Sequence, residues 1–190
     1  MTTLTNYDLD YQAPAPGSGK FLFLDLDETL IHYSDFEKSS YSGPHEGYEL
    51  QGRLMLMRPE AHDLLRICRN WADKVVMCTF AGDIYARMAN VAFEFGFQED
   101  EFITVGLLST TEDALGPEGV LIDNLPASHE NTAIKLYVLG IPDERLIEIP
   151  DFSHPEYKGL ADFLQGLPML LEQMSCLGGG GNGSRNERGQ

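Results

Sequence analysis

The chain has 190 residues, 43% of them hydrophobic and 23% charged, which is enough for one domain with a full core and too few for two large ones. Its 30 Asp and Glu against 13 Lys and Arg leave a net charge of -17, so neither nucleic acid nor an anionic membrane is expected as a partner. Cys68, Cys78 and Cys176 sit in apolar runs without C-x-x-C spacing, which fits reduced thiols in a cytoplasmic protein better than a disulfide frame or a zinc site.

Residues 1–19 are polar, end in Ala13-Pro14-Ala15-Pro16-Gly17-Ser18-Gly19, and read as a flexible extension without the basic and apolar regions of a secretion signal. Gly17-Ser18-Gly19-Lys20 looks like the end of a phosphate-binding loop. However, Pro14 stands at the earlier glycine position and Phe21 where Ser or Thr belongs, so no nucleotide loop is expected. The domain is expected over residues 20–175, and 176–190 read as a disordered Gly-rich tail. No apolar stretch approaches the roughly 20 residues that span a bilayer.

Within the domain, Phe21-Leu22-Phe23-Leu24-Asp25 is apolar up to its last residue. Val75-Val76-Met77-Cys78-Thr79 and Val120-Leu121-Ile122-Asp123 repeat that pattern, and 146–149 adds a fourth short apolar run. Continuous apolarity marks strands covered on both faces. Between them, 60–72 carries Ala61, Leu64, Leu65, Cys68 and Trp71 at helical spacing, and 83–95 and 128–139 are predicted helices. A last helix over 160–174 is expected to bend or restart at Pro168. The predicted fold is α/β, a doubly wound and mostly parallel sheet with a short insertion at about 32–57.

Ligands in such sheets bind beyond the carboxyl ends of the strands, where Asp25, Thr79 and Asp123 would converge. Each alone could be an ordinary strand-end turn residue. The stronger signal is Asp25-Leu26-Asp27-Glu28-Thr29-Leu30, because alternation puts Asp25 and Asp27 on one side of the chain. Two carboxylates with different neighbours suit divided nucleophile and acid/base roles, and their crowded charge needs a cation, for which Mg²⁺ is the expected choice.

At these residues the sequence resembles the haloacid dehalogenase-like phosphohydrolases, and within them the branch of RNA polymerase C-terminal-domain phosphatases and their small relatives, which show D-L-D-E-T-L. Arg58-Pro59 resembles that branch's R-P before the first helix, Thr79 followed by Tyr85-Ala86 its second motif, and Ile122-Asp123-Asn124-Leu125-Pro126 its fourth. The resemblance implies a Rossmann-like fold and a two-step phosphoryl transfer. Asp25 would be the nucleophile, and Asp27 the acid and then the base, held by Thr29. Thr79 would bind a phosphoryl oxygen. Asp25, the Asp27 carbonyl and Asn124 would hold Mg²⁺, with Asp123 in or beside that shell.

The family also has a lysine upstream of its fourth motif. Here Leu107 falls at that position, and from Met88 to Ile134 the chain has nine acids and no Lys or Arg. Arg87 and Arg58 are the candidate substitute cations, and Lys135, about two turns into a helix, is expected to point away. Three functions remain open: a phosphatase for phosphoserine or phosphothreonine in a protein, a phosphatase for a small metabolite or nucleotide, and a noncatalytic binding domain. In the insertion, Tyr33, Phe36, Tyr41 and Tyr48 either contact substrate or pack as a flap.

Overall fold

The computed structural model describes residues 19–34, 47–50, 53–110, 118–152 and 159–177. The expected N-terminal extension up to residue 18, Phe36, Tyr41 and the tail from 178 lie outside them.

Five strands, β1 (Phe21–Leu24), β5 (Lys74–Cys78), β6 (Phe102–Ile103), β7 (Val120–Asp123) and β8 (Leu146–Glu148), form one parallel sheet in the order β6-β5-β1-β7-β8. The chain winds outward from β1 in one direction, then crosses and winds outward in the other. This is the predicted doubly wound α/β fold, and it places a crevice at the carboxyl end of β1, between β5 and β7.

The apolar runs are continuous because both faces are covered. In β1, Leu22 and Leu24 join one core cluster while Phe23 joins the other. In β5 and β7 the same division separates Val75 and Met77 from Val76 and Cys78, and Val120 and Ile122 from Leu121. Helices α1 (Ala61–Trp71) and α5 (Ala161–Leu177) pack together on the first face, and α4 (Glu130–Leu139) supplies Leu136, Val138 and Leu139 to the second. Helix α2 (Asp83–Ala92) buries Ala86 and Ala89 against the first cluster, and α3 (Val105–Thr110) buries Leu108 in the second.

The insertion folds into an antiparallel sheet of β2 (Ile31–Ser34), β3 (Gly47–Leu50) and β4 (Arg53–Met57), in the order β2-β4-β3. Two terminal predictions change. Helix α2 ends at Ala92 rather than 95, because the chain turns through Glu94 and Gly96, both at positive φ. Helix α5 does not restart at Pro168 but runs through it, and the flanking Leu167 and Leu171 are fully buried. That packing compensates for the backbone bond proline cannot make. Among the described residues no helix is long and apolar enough to cross a membrane.

Candidate active site

Asp25 is the first residue beyond β1, and its amide donates to the Ile122 carbonyl, continuing the parallel ladder by one step. The chain then curls. The Leu26 carbonyl accepts from Thr29, Leu30 and Ile31, and Glu28 takes a left-handed φ of 59°. Arg58, fully buried, fixes this turn by donating from Nη2 to the Glu28 carbonyl at 2.8 Å and to the Pro150 carbonyl at 2.7 Å. Phe152 N adds a third bond to Glu28 at 2.9 Å. The turn after β1 is thereby tied to the segment after β8.

The curl stands Thr29 over Asp25, four residues back, so its hydroxyl donates to Asp25 Oδ2 at 3.3 Å and approaches Asn124 Oδ1 at 3.5 Å. The expectation that Thr29 holds Asp27 is therefore corrected. Asp27 Oδ1 instead accepts from the Tyr85 hydroxyl at 2.8 Å. Thr79 follows β5 directly, and its Oγ1 accepts from Ala81 N. Asp123 ends β7 with Oδ1 bonded to Leu125 N, while Asn124 Nδ2 donates to Asp151. Asp25, Asp27, Thr29, Thr79, Asp123 and Asn124 thus meet at the crevice.

The residue that sequence reasoning misplaced is Lys135. Its Nζ lies 2.5 Å from Asp25 Oδ1 and 2.8 Å from Asp123 Oδ2, with the side chain 4% exposed. It points inward, not away. Its neighbours give the missed signal: Thr132, Lys135, Leu136 and Leu139 fall at i, i+3, i+4, i+7 on the buried stripe of α4. Arg87 pairs with Asp83 at 2.8 Å and with Glu99 on the outer side of α2, and Arg58 is committed to carbonyls, so neither expected substitute occupies the place that Lys135 fills.

Burial dominates the electrostatics. It pushes Asp25 and Asp27 above the ordinary carboxylate range, against the pull of Lys135 on both and of the Tyr85 bond on Asp27. Burial alone would depress the Lys135 ammonium, but Asp25 and Asp123 outweigh it and hold the group charged.

Among the described residues, no three His, Cys, Asp or Glu side chains are grouped as a ready metal cage. The donor chemistry still fits a hard cation. Asp25 Oδ2 and Asn124 Oδ1 face each other across one hydroxyl that bonds both at long range, and Mg²⁺ needs only one or two carboxylates with water and substrate oxygens.

Residues 20–91 match the family described as NLI interacting factor-like phosphatase. The match to this phosphatase family takes in Asp25, Asp27, Thr29, Thr79 and Tyr85 and stops before Asp123, Asn124 and Lys135. No curated protein matches the chain. Similar solved structures include the fission yeast RNA polymerase II CTD phosphatase Fcp1, as a variant bound to beryllium fluoride. It is 16% identical over 82% of this chain and 50% of that one, with a TM-score of 0.49. A second structure of Fcp1, an essential RNA polymerase II CTD phosphatase, is 14% identical over 86% and 55%, with a TM-score of 0.46. The chain spans about half the length of each.

Proposed function

We propose that the chain is a Mg²⁺-dependent phosphomonoester hydrolase that works through an aspartyl phosphate on Asp25. The observation that carries this is the division between two neighbouring carboxylates. Asp25 is gripped by Lys135 and Thr29, whereas Asp27 is gripped separately by Tyr85. The match of residues 20–91 to a phosphatase family supports it.

In the first step an Asp25 carboxylate oxygen bonds phosphorus as the bond to the ester oxygen breaks, and the Asp27 proton goes to that leaving oxygen. Burial keeps Asp27 protonated to higher pH than an exposed carboxyl, which suits the donor role. In the second step a water oxygen bonds phosphorus, its proton returns to Asp27, and the acyl–phosphate bond breaks to restore Asp25. The sum is ester plus water giving alcohol plus phosphate. Asp25, the Asp27 carbonyl and Asn124, with Asp123 beside them, would hold Mg²⁺, which when bound supplies positive charge against the phosphoryl oxygens. Thr79, directly after the strand next to β1, would bond one of those oxygens.

The substrate class we assign is phosphoserine or phosphothreonine in a protein. A groove of about 620 Å³ runs along the outer side of α2, lined by Tyr48, Ile84, Met88 and Val91 together with the Asp83–Arg87 ion pair. Ile84 and Val91 are more than two thirds exposed there, on the same helix that carries Tyr85. A mainly apolar groove on the helix that carries Tyr85 supports a peptide chain over a small metabolite. The free thiols and the acidic charge support a cytoplasmic enzyme without a nucleic acid or membrane partner.

The test is phosphate release from phosphopeptides, p-nitrophenyl phosphate, sugar phosphates and nucleotides, with Mg²⁺ and with EDTA. Mg²⁺-dependent release, highest on peptides, is expected. Preference for a metabolite would move the assignment to a small-molecule phosphatase, and no release from any of them would favour a binding domain.

A further inference from the structure

Asp27 has to face the leaving oxygen to protonate it, and a carboxyl on a curled turn keeps no direction unless a partner holds it. The Tyr85 hydroxyl is that partner, at 2.8 Å. Burial, and then the charge of Asp27, keep the phenol protonated well above its ordinary range, so the hydroxyl is the donor. The aim of Asp27 therefore depends on where the Tyr85 ring stands.

That ring is braced from the insertion. Tyr33, on β2, meets Tyr85 edge-on, with ring centres 5.5 Å apart and planes at 85°. An edge-on pair sets the positive rim of one ring against the negative face of the other, which favours one orientation. Both rings are half-buried against the first core cluster. Tyr33 is fixed in turn at its far end. Its hydroxyl donates to the Leu50 carbonyl at 3.3 Å, and the Arg53 guanidinium lies over its ring at 5.5 Å. Leu50 and Arg53 are partners across β3 and β4, so this one side chain gathers all three strands of the insertion sheet.

Strand β2 also starts beside the acid, since Asp27 forms a bridge with Ile31. Alternation then turns its next two side chains to opposite faces. His32 goes to Glu28, the residue after Asp27, and Tyr33 goes to Tyr85.

We propose that Tyr33 is a positioning residue for the acid: by bracing the Tyr85 ring it aims Asp27 at the leaving oxygen, and it makes the insertion sheet part of the acid's support. This rests on the phosphatase reading of the same site. It gives the insertion a role beside lining the groove through Tyr48. The consequence is selective. An alkyl ester such as phosphoserine leaves only when its oxygen is protonated and so depends on Tyr33, whereas a nitrophenyl ester leaves readily without that proton.

The experiment measures kcat/KM of the whole chain in Mg²⁺ on phenethyl phosphate, an alkyl ester, and on p-nitrophenyl phosphate, which is similar in size. The readout is the ratio of alkyl to nitrophenyl activity in the parent, Tyr33→Leu, Tyr33→Phe, Tyr85→Phe and Tyr33→Leu/Tyr85→Phe. Tyr33→Leu is expected to lower the ratio about three- to tenfold, the scale of one lost edge-on pair, and Tyr33→Phe, which keeps the ring, to restore most of it. With the Tyr85 hydroxyl already removed, Tyr33→Leu should move the ratio by less than about twofold.

A Tyr33 that only packs would slow both esters equally, and a ratio within about twofold of the parent in Tyr33→Leu overturns the proposal. So does a fall as large in the Tyr85→Phe background as in the parent, because Tyr33 would then act without Tyr85. Thermal melting checks each fold, and if Tyr33→Leu does not fold, Tyr33→Met fills more of the ring's volume and is held to the same criteria. A parent that hydrolyses neither ester sinks the phosphatase reading and the role of Tyr33 with it, whereas an active parent with an unchanged ratio removes the role of Tyr33 alone.

Discussion

The Tyr85 hydroxyl donates to Asp27 Oδ1 at 2.8 Å, joining the helix after β5 to the turn after β1. A carboxyl that must protonate a leaving oxygen needs a fixed direction, and this bond supplies one. Tyr85→Phe should lower kcat/KM on a phosphoserine peptide by about ten- to a hundredfold. p-Nitrophenyl phosphate, whose leaving group needs little protonation, should lose only about threefold or less. Equal losses on both substrates would mean that Tyr85 only packs.

Arg58 holds the Glu28 and Pro150 carbonyls together at zero exposure. Arg58→Leu leaves both carbonyls without that donor and should cost roughly 3 kcal/mol of stability in a urea titration. A loss below about 1 kcal/mol would show that the turn after β1 holds without the clamp.

His32 Nδ1 lies 2.5 Å from Glu28 Oε1, and that bond raises the imidazole above its ordinary value despite partial burial. A histidine raised in the folded state contributes stability that is fully present below its unfolded value near 6.5 and is lost as pH rises through the folded value. The melting-temperature gap between the parent and His32→Asn should therefore be wide at pH 5.5 and narrow at pH 8.5. A gap that grows with pH contradicts this.

Burial pushes the Cys68 and Cys78 thiols up to about 12, whereas Cys176 is exposed on α5. At pH 8 the native protein should take up one equivalent of iodoacetamide, at Cys176, and all three cysteines should react after denaturation. Native labelling of Cys78 would show that the core next to Lys135 opens.

Much of this molecule could be read from local pattern. The apolar runs ending in Asp25, Thr79 and Asp123 are strands buried on both faces, and that alone predicts the doubly wound sheet and the convergence of their ends. What escaped was set by side-chain direction and by distant partners. Lys135 lies behind Asp123 in the chain, yet it sits on the buried stripe of its helix and its stem leans back to the site. The family resemblance implies Thr29 on Asp27, whereas the left-handed turn at Glu28 puts it over Asp25. The Tyr85 bond spans 58 residues and the Arg58 clamp on Pro150 spans 92, separations over which sequence spacing carries no geometry.

The central claim is that Asp25 makes and breaks the bond to phosphorus. Its most direct measurement is inorganic phosphate release by Asp25→Asn beside the parent, on the best substrate, in Mg²⁺, with both proteins melting alike. The parent should turn over and Asp25→Asn should release no phosphate above background; turnover retained by Asp25→Asn would contradict the mechanism.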